Sequence, residues 1–203
     1  VEWKGEAMKR IVVGITGASG VIMGFYLLEA LKRTPDCEVH LVMTRSAQLT
    51  WQMETDFPLE TLTSLADIVH NVENMTALIA SGSFRTDSMV VIPCSMKSLA
   101  GIVSGYAENL LLRAADVCMK ENRKLILVPR EMPLGKLHLQ NLTKAAELGC
   151  VLVPPMLTFY NAPDSVEHQI KHVVGKVLMQ LDIPYDEFVP WKGAPHATNQ
   201  LSR

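Results

Sequence analysis

The chain is expected to fold as an α/β protein with one doubly wound, mostly parallel sheet, and three observations predict it. Short apolar runs recur along the sequence and are continuous rather than alternating. Segments with helical spacing lie between them. A glycine-rich turn, GITGASG at residues 14–20, follows the first apolar run, RIVV, directly. Continuous apolar strands are what a sheet covered by helices on both faces requires. Regular alternation of strand and helix gives parallel pairing through βαβ crossovers.

The elements follow in order. Ile11–Ile15 is the first strand. After its turn, Val21, Phe25, Leu28 and Leu31 recur at helical spacing, with Glu29, Lys32 and Arg33 on the other side. Pro35-Asp36 stops that helix. Val39–Thr44 is the second strand, and residues 45–54 read as helical. Met89–Pro93, the third strand, leads into helical sequence over 97–121, with Gly105 a break and Asn122 an end. Leu125–Pro129 is the fourth strand. A helix over 136–148 closes at Gly149, and Cys150–Pro154 is a shorter fifth strand. Asp164-Ser165 supplies an N-cap for a last helix over 165–181. No repeat or composition break divides the chain. Residues 8–181 therefore read as a single domain, and 182–203 as a Pro-rich, irregular C-terminal tail.

Composition narrows the function. A chain of 203 residues is long enough for one sizeable core. A formal net charge of −2 gives no basic field for nucleic acid or an anionic membrane. The apolar runs fall short of the about 20 residues of a membrane span. VEWKGEAMKR has no apolar stretch, so no secretory signal is expected, and Met8 is a candidate native start. The four cysteines, Cys37, Cys94, Cys118 and Cys150, form no C-x-x-C pair and read as reduced thiols of a cytoplasmic protein. His168 and His172 are four apart but lack a third ligand, so no metal is expected.

In such folds ligands bind beyond the carboxyl ends of the strands. The segments there are TGASG, TRSAQLTWQMET, CSMKSLAG, REMPLG and PMLTFYN. Together they gather Ser19, Thr44, Glu54, Ser95, Lys97, Ser98, Arg130, Glu131 and Tyr160 on one rim. Gly17 and Gly20 allow backbone to approach a ligand, and the following helix turns free N–H groups toward it. The G-x-x-G-x-x-G spacing is not the dinucleotide G-x-G-x-x-G, and Thr44-Arg45 stands where a ribose-binding acid would end the second strand. A phosphorylated planar ligand suits these loops better than NAD. Arg130 and Glu131 sit between Pro129 and Pro133, a stiff pairing of anion binder and acid or base. Arg113 and Lys120 are two turns apart on one helical face.

Taken together, GITGASG, SGSFRTDSMVVIPCSMKSLAGI, RAADVCMKE, PREMP and PPMLTFYNAP resemble one family. It is the UbiX-like flavin prenyltransferases, including the B subunits associated with hydroxyarylic acid decarboxylases. The resemblance covers about residues 8–193, with the motifs in order. It implies a Rossmann-like or flavodoxin-like three-layer fold that binds FMN. It also implies metal-independent transfer of a dimethylallyl group from dimethylallyl phosphate to N5 and then C6 of reduced FMN. The prenylated flavin would serve a separate UbiD-like decarboxylase of aromatic acids. Family members form homo-oligomers, trimer-based dodecamers with sites shared between subunits, which would set Trp191 of the tail near a neighbour's site.

The resemblance also implies roles. Gly17, Ala18 and Ser19 would lie against the flavin, with Thr44 where relatives often carry serine. Ser95, Met96, Lys97 and Ser98 would form a second flavin loop, and Arg130 would contact FMN. Tyr160 and Lys176 fall at dimethylallyl phosphate positions, Lys176 replacing a commoner arginine and so losing the bidentate fork. Arg113, Lys120 and Glu131 match residues around the substrate phosphate, and Glu54 an acid near the reacting carbons. The catalytic set so implied is Ser19, Glu54, Lys120 and Glu131.

Three other readings compete. A non-catalytic subunit that stores or delivers FMN would not need Lys120, Glu131, Tyr160 and Lys176 together. A flavin-dependent cysteine decarboxylase would carry a histidine near the flavin and a different proline-rich segment. Direct decarboxylation of an aromatic acid finds no residue set to handle an aryl carboxylate.

Overall fold

The computed structural model describes residues 8–193. Six parallel strands form one sheet: β1 Lys9–Ile15, β2 Cys37–Met43, β3 Ile68–His70, β4 Ser88–Cys94, β5 Lys124–Pro129 and β6 Val151–Leu152, in the order β3-β2-β1-β4-β5-β6. The helices are α1 Ile22–Lys32, α2 Arg45–Glu54, α3 Leu59–Thr63, α4 Met96–Ser104, α5 Leu110–Lys120, α6 Lys136–Glu147 and α7 Val166–Gln180. The chain winds outward from β1 through β2 and β3, returns to β4, and winds the other way. The reversal falls between β1 and β4, where Ile11 pairs with Ser88 and Gly14 with Val91. A crevice opens at the carboxyl ends of strands at such a reversal.

Alternation along β1 divides the core. Ile11, Val13 and Ile15 face α1 and α7, with Trp51 of α2 and Leu62 of α3 in the same cluster. Val12 faces the other way, into a layer with Met89, Val91, and Leu99, Leu111 and Ala115 of α4 and α5. All seven residues of β4 are buried, which explains its unbroken apolar run.

The structure corrects several boundaries. Thr44 is not the end of β2 but the N-cap of α2, its hydroxyl accepting from the Ala47 N–H at 3.1 Å. The stretch 97–121 divides into α4 and α5, and α4 stops at Gly105 with φ +72°. α3, β3 and a 3-10 turn at Leu78–Ala80 have no counterpart in the apolar pattern. Ile68 and Val69 are exposed on an edge strand, so no apolar period marks it.

Residues 182–193 carry no regular element, yet part of them is docked. Ile183 is buried, and Phe188 packs so closely on α7 that a side chain larger than hydrogen at Gly175 would collide with its ring. Lys171 pairs with both Glu167, at 2.8 Å, and Glu187. These ion pairs hold the Glu187 carboxyl below and the Lys171 ammonium above their ordinary pKa ranges. No helix among the described residues is long and apolar enough to cross a membrane.

Candidate active site

Thr16 joins the two loops at the reversal point. It is fully buried, donates to the Pro93 carbonyl at 2.7 Å, and accepts from the Ser95 N–H at 2.8 Å. The Thr16 N–H also bonds the Pro93 carbonyl, at 3.3 Å. The ends of β1 and β4 are thereby held in one register. Arg130 extends the arrangement to β5, its N–H donating to the Cys94 carbonyl at 3.0 Å.

Two helix N-termini open on one cleft of about 790 Å³. Thr44, Arg45 and Ser46 of α2 line one side, and Ser95, Lys97 and Ser98 of α4 line the other. Ser95 caps α4, its hydroxyl accepting from the Ser98 N–H at 3.2 Å and standing 3.1 Å from the Ser98 hydroxyl. Free N–H groups of a helix's first turn carry partial positive charge and favour an anion. The cleft's carboxylates are offset by cations: Glu73 pairs with Arg45 at 3.4 Å and Glu108 with Lys97 at 3.7 Å. Hydroxyls and helix N-termini without an uncompensated carboxylate form a donor set suited to a phosphate-bearing mononucleotide.

Gly17, Ala18 and Ser19 form the tip beside this cleft, with Ser19 exposed. Gly17 is required by proximity, since a Cβ there would lie 2.5 Å from the Ser46 Cβ. The loop is tied to α2 a second time: Glu54 accepts from the Gly20 N–H at 2.8 Å. The sequence-based expectation gave the open N-terminus to α1. In the structure α1 has no side-chain cap, Glu54 tying only Gly20 just before it, and α2 and α4, capped by Thr44 and Ser95, turn their remaining first-turn N–H groups to the cleft as well.

A second cleft, of about 480 Å³, adjoins the first across Met96. Arg130, Glu131, Met132, Pro154 and Met156 line it. Arg130 and Glu131 do not pair with each other; the Glu131 carboxylate accepts from the Met132 N–H at 3.0 Å. Neither Arg130 nor Lys176 forms an ion pair among the described residues, although Lys97, Arg113 and Lys120 each do. Lys176 lies over the Phe188 ring, 5.1 Å from its centroid.

Tyr160 stands on α7, its hydroxyl 3.2 Å from His172 Nε2 and its ring 5.5 Å from that of Trp191. Trp191 packs against Tyr160 of its own chain. Arg113 and Lys120 are not brought to this rim. Arg113 is held by the Ala80 carbonyl at 3.0 Å and Asp116 at 2.5 Å. Lys120 ends α5 just before β5 begins, at the opposite edge of the sheet, and pairs with Glu121 at 2.9 Å.

Comparison with known proteins places this geometry. The flavoprotein family profile matches residues 4–181. A probable UbiX-like flavin prenyltransferase of Sedimentibacter hydroxybenzoicus is 56% identical over 184 residues, covering 91% of this chain and 97% of that protein. The chain belongs to the flavoprotein family, among its UbiX-like flavin prenyltransferases. Two solved UbiX-like structures share its fold. A dodecameric FMN-dependent UbiX-like decarboxylase from Escherichia coli O157:H7 superposes with a TM-score of 0.89 at 49% identity, covering 91% of this chain and all of that one. AnUbiX (PadA1), solved with FMN and dimethylallyl pyrophosphate, gives 0.89 at 44% identity, covering 92% and 99%.

Within this UbiX-like chain the structure adds residues that motif reading passed over. Thr16 was detectable as a hydroxyl directly following an apolar strand. Ser46 lies two residues beyond Thr44, on the same helix end, and carried no further signal. His172 showed only its i, i+4 spacing to His168, because folding alone brings it to Tyr160 and Asn161.

Proposed function

We propose that this chain transfers a dimethylallyl group from dimethylallyl phosphate to reduced FMN, forming bonds at N5 and C6. The observation that carries this reading is a pair of clefts at the carboxyl ends of the strands, one beside the β1–β4 reversal and one beyond β5 and β6. One presents two helix N-termini and hydroxyls, the other presents Arg130, unpaired among the described residues, beside Glu131. Relatives named for this activity support it. When bound, reduced FMN supplies the nucleophilic atoms.

Gly17, Ala18, Ser19, Thr44, Ser95, Met96, Lys97, Ser98 and Arg130 are assigned to hold the flavin. Arg130 and Lys176 stabilise the departing phosphate, since free cations act there without first breaking a pair. Tyr160 and Trp191 offer aromatic faces to the allylic group as it gains positive character. Glu131 is assigned the proton movements that accompany ring closure and phosphate departure. Ser19 and Glu54 border the flavin loop, where Glu54 also fixes Gly20.

Lys120 lies at the far end of α5 and Arg113 is turned to Ala80 and Asp116, so they serve this chemistry only from a neighbouring copy. We therefore assign the chain to a homo-oligomer with shared sites, a dodecamer like that of the Escherichia coli relative. The prenylated flavin passes to a UbiD-like decarboxylase in the cytoplasm. Residues 8–181 form the flavoprotein domain, and the tail beyond supplies Trp191. Incubation with reduced FMN and dimethylallyl phosphate, followed by mass and absorbance of the released flavin, tests the activity. A flavin of unchanged mass would overturn it.

A further inference from the structure

A hydrogen-bonded chain runs behind Tyr160. The Thr158 hydroxyl donates to Asn161 Oδ1 at 3.2 Å, which turns Asn161 Nδ2 toward His172 Nδ1, 3.4 Å away. The other ring nitrogen of His172, Nε2, stands 3.2 Å from the Tyr160 hydroxyl. Gln169 anchors the start of the chain, accepting from the Thr158 N–H at 3.0 Å and donating to its carbonyl at 2.7 Å. His172 is buried, with the Tyr160 ring edge-on at 5.6 Å and the Phe188 ring at 5.0 Å.

The direction of these bonds follows from the inventory of donors. Burial, then the charges of Lys176 and His168, push the His172 pKa below its ordinary value, so the ring is neutral at pH 7 and carries one N–H. An amide NH₂ facing Nδ1 makes that nitrogen the acceptor and leaves the proton on Nε2. Nε2–H then donates to the Tyr160 oxygen. With one lone pair engaged by His172, the phenol's own proton points away from that ring.

We propose that His172 is a positioning residue for prenyl transfer: through the Thr158–Asn161–His172 chain it holds Tyr160 as a hydrogen-bond donor to the substrate's phosphate. The inference rests on the proposed function, because it takes dimethylallyl phosphate as the ligand before Tyr160. A phenol locked as a donor suits an oxyanion and cannot offer its oxygen to a cation in the same place. It complements Lys176, one turn further along α7, which supplies charge without direction.

Steady-state prenylation of reduced FMN by the full-length protein tests this, with the KM for dimethylallyl phosphate, kcat and the FMN Kd measured separately. His172→Leu should raise that KM roughly 10-fold, the low end for a weakened contact to a charged group, and leave the FMN Kd near wild type. His172→Gln offers an amide N–H to the same oxygen and should recover KM to within about three-fold. In a Tyr160→Phe background, His172→Leu should add nothing, because the hydroxyl it directs is gone. Wild-type KM in His172→Leu, or additive losses in the double variant, would overturn the inference while leaving the prenyltransferase reading intact. Should His172→Leu fail to fold, Asn161→Leu decides, since loss of the orienting amide should also raise KM and an unchanged value would refute the proposal. Absence of prenylated flavin from the wild type would instead overturn the parent reading, and the inference with it.

Discussion

At the residue scale, what distinguishes the cations is whether their charge is already spent. Arg113 and Lys120 hold carboxylates at 2.5 and 2.9 Å, whereas Lys176 pairs with no carboxylate among the described residues and lies over the Phe188 ring. Lys176→Ala should therefore weaken dimethylallyl phosphate by roughly 10–150-fold, the range of a lost charge-assisted contact, with little change in FMN affinity. Lys176→Arg should bind as well as or better than the native chain, because a guanidinium can take two phosphate oxygens. Substrate titrations followed by flavin absorbance under reducing conditions read both variants, and native affinity in the alanine variant would remove Lys176 from the site. Glu131 invites the complementary test. Among the described residues its carboxylate accepts only from the neighbouring Met132 N–H, and it lines the second cleft. Glu131→Gln keeps shape and should keep FMN, while product formation falls by about 10²-fold or more if the carboxylate moves a proton. An unchanged single-turnover rate would give that proton to the phosphate.

At the scale of elements, the site depends on helix starts fixed by short polar side chains. Ser95 caps α4 and shares its hydroxyl with Ser98. Ser95→Ala should cost about 1 kcal/mol, a fall in Tm of roughly 2–4 °C for a chain of this size. Thermal melts without flavin measure that loss, and FMN titration should show weakened binding as well, since the same hydroxyl faces the cleft. β2 is secured differently. Its Glu38 carboxylate bonds His40 at 2.8 Å and Arg10 of β1 at 2.9 Å, and His40 continues to His70 of β3 at 2.9 Å. The bond from His40, then that from Arg10, outweighs burial and holds the Glu38 carboxyl below its ordinary value of 4.5. A lowered folded pKa means stability present above the unfolded value and lost as pH falls through the folded one. Between about pH 5 and pH 3, wild type should lose stability more steeply than Glu38→Gln. Denaturant midpoints across that range decide it, and parallel curves would show that Glu38 contributes nothing to the slope.

At the scale of the whole molecule, the described surface carries more exposed apolar groups than a solitary domain needs. Leu137 beside the first cleft, and Leu157 and Phe159 in the segment after β6, are 66, 70 and 74% exposed. Large apolar surface of this kind marks an interface. Light scattering at micromolar concentration should give a mass near twelve times the 22.5 kDa chain, and a monomer would refute the assembly. Shared sites make a sharper demand. Lys120→Ala and Glu131→Gln proteins should each be nearly inactive, yet co-expression should restore activity, because mixed assemblies contain some sites with both native residues. No recovery in co-assembled protein would mean that each chain supplies its own set.

The sequence by itself determined the strand–helix alternation, the buried strands and the glycine turn, because burial on both faces imposes an unbroken apolar run and a loop needs glycine where backbones crowd. It located the rim as well: Thr44, Ser95, Ser98, Arg130 and Glu131 all follow strands and stand where the carboxyl ends gather. Local chemistry failed where contacts are remote. β3 is short and exposed, so its place at the sheet edge follows from pairing with β2 rather than from its own residues. Only the tertiary structure decided that Glu54 ties down Gly20, that Trp191 lies on Tyr160, and that His172 backs its hydroxyl. Each of these joins residues far apart along the chain, and no periodicity in a sequence records a partner that arrives from another element.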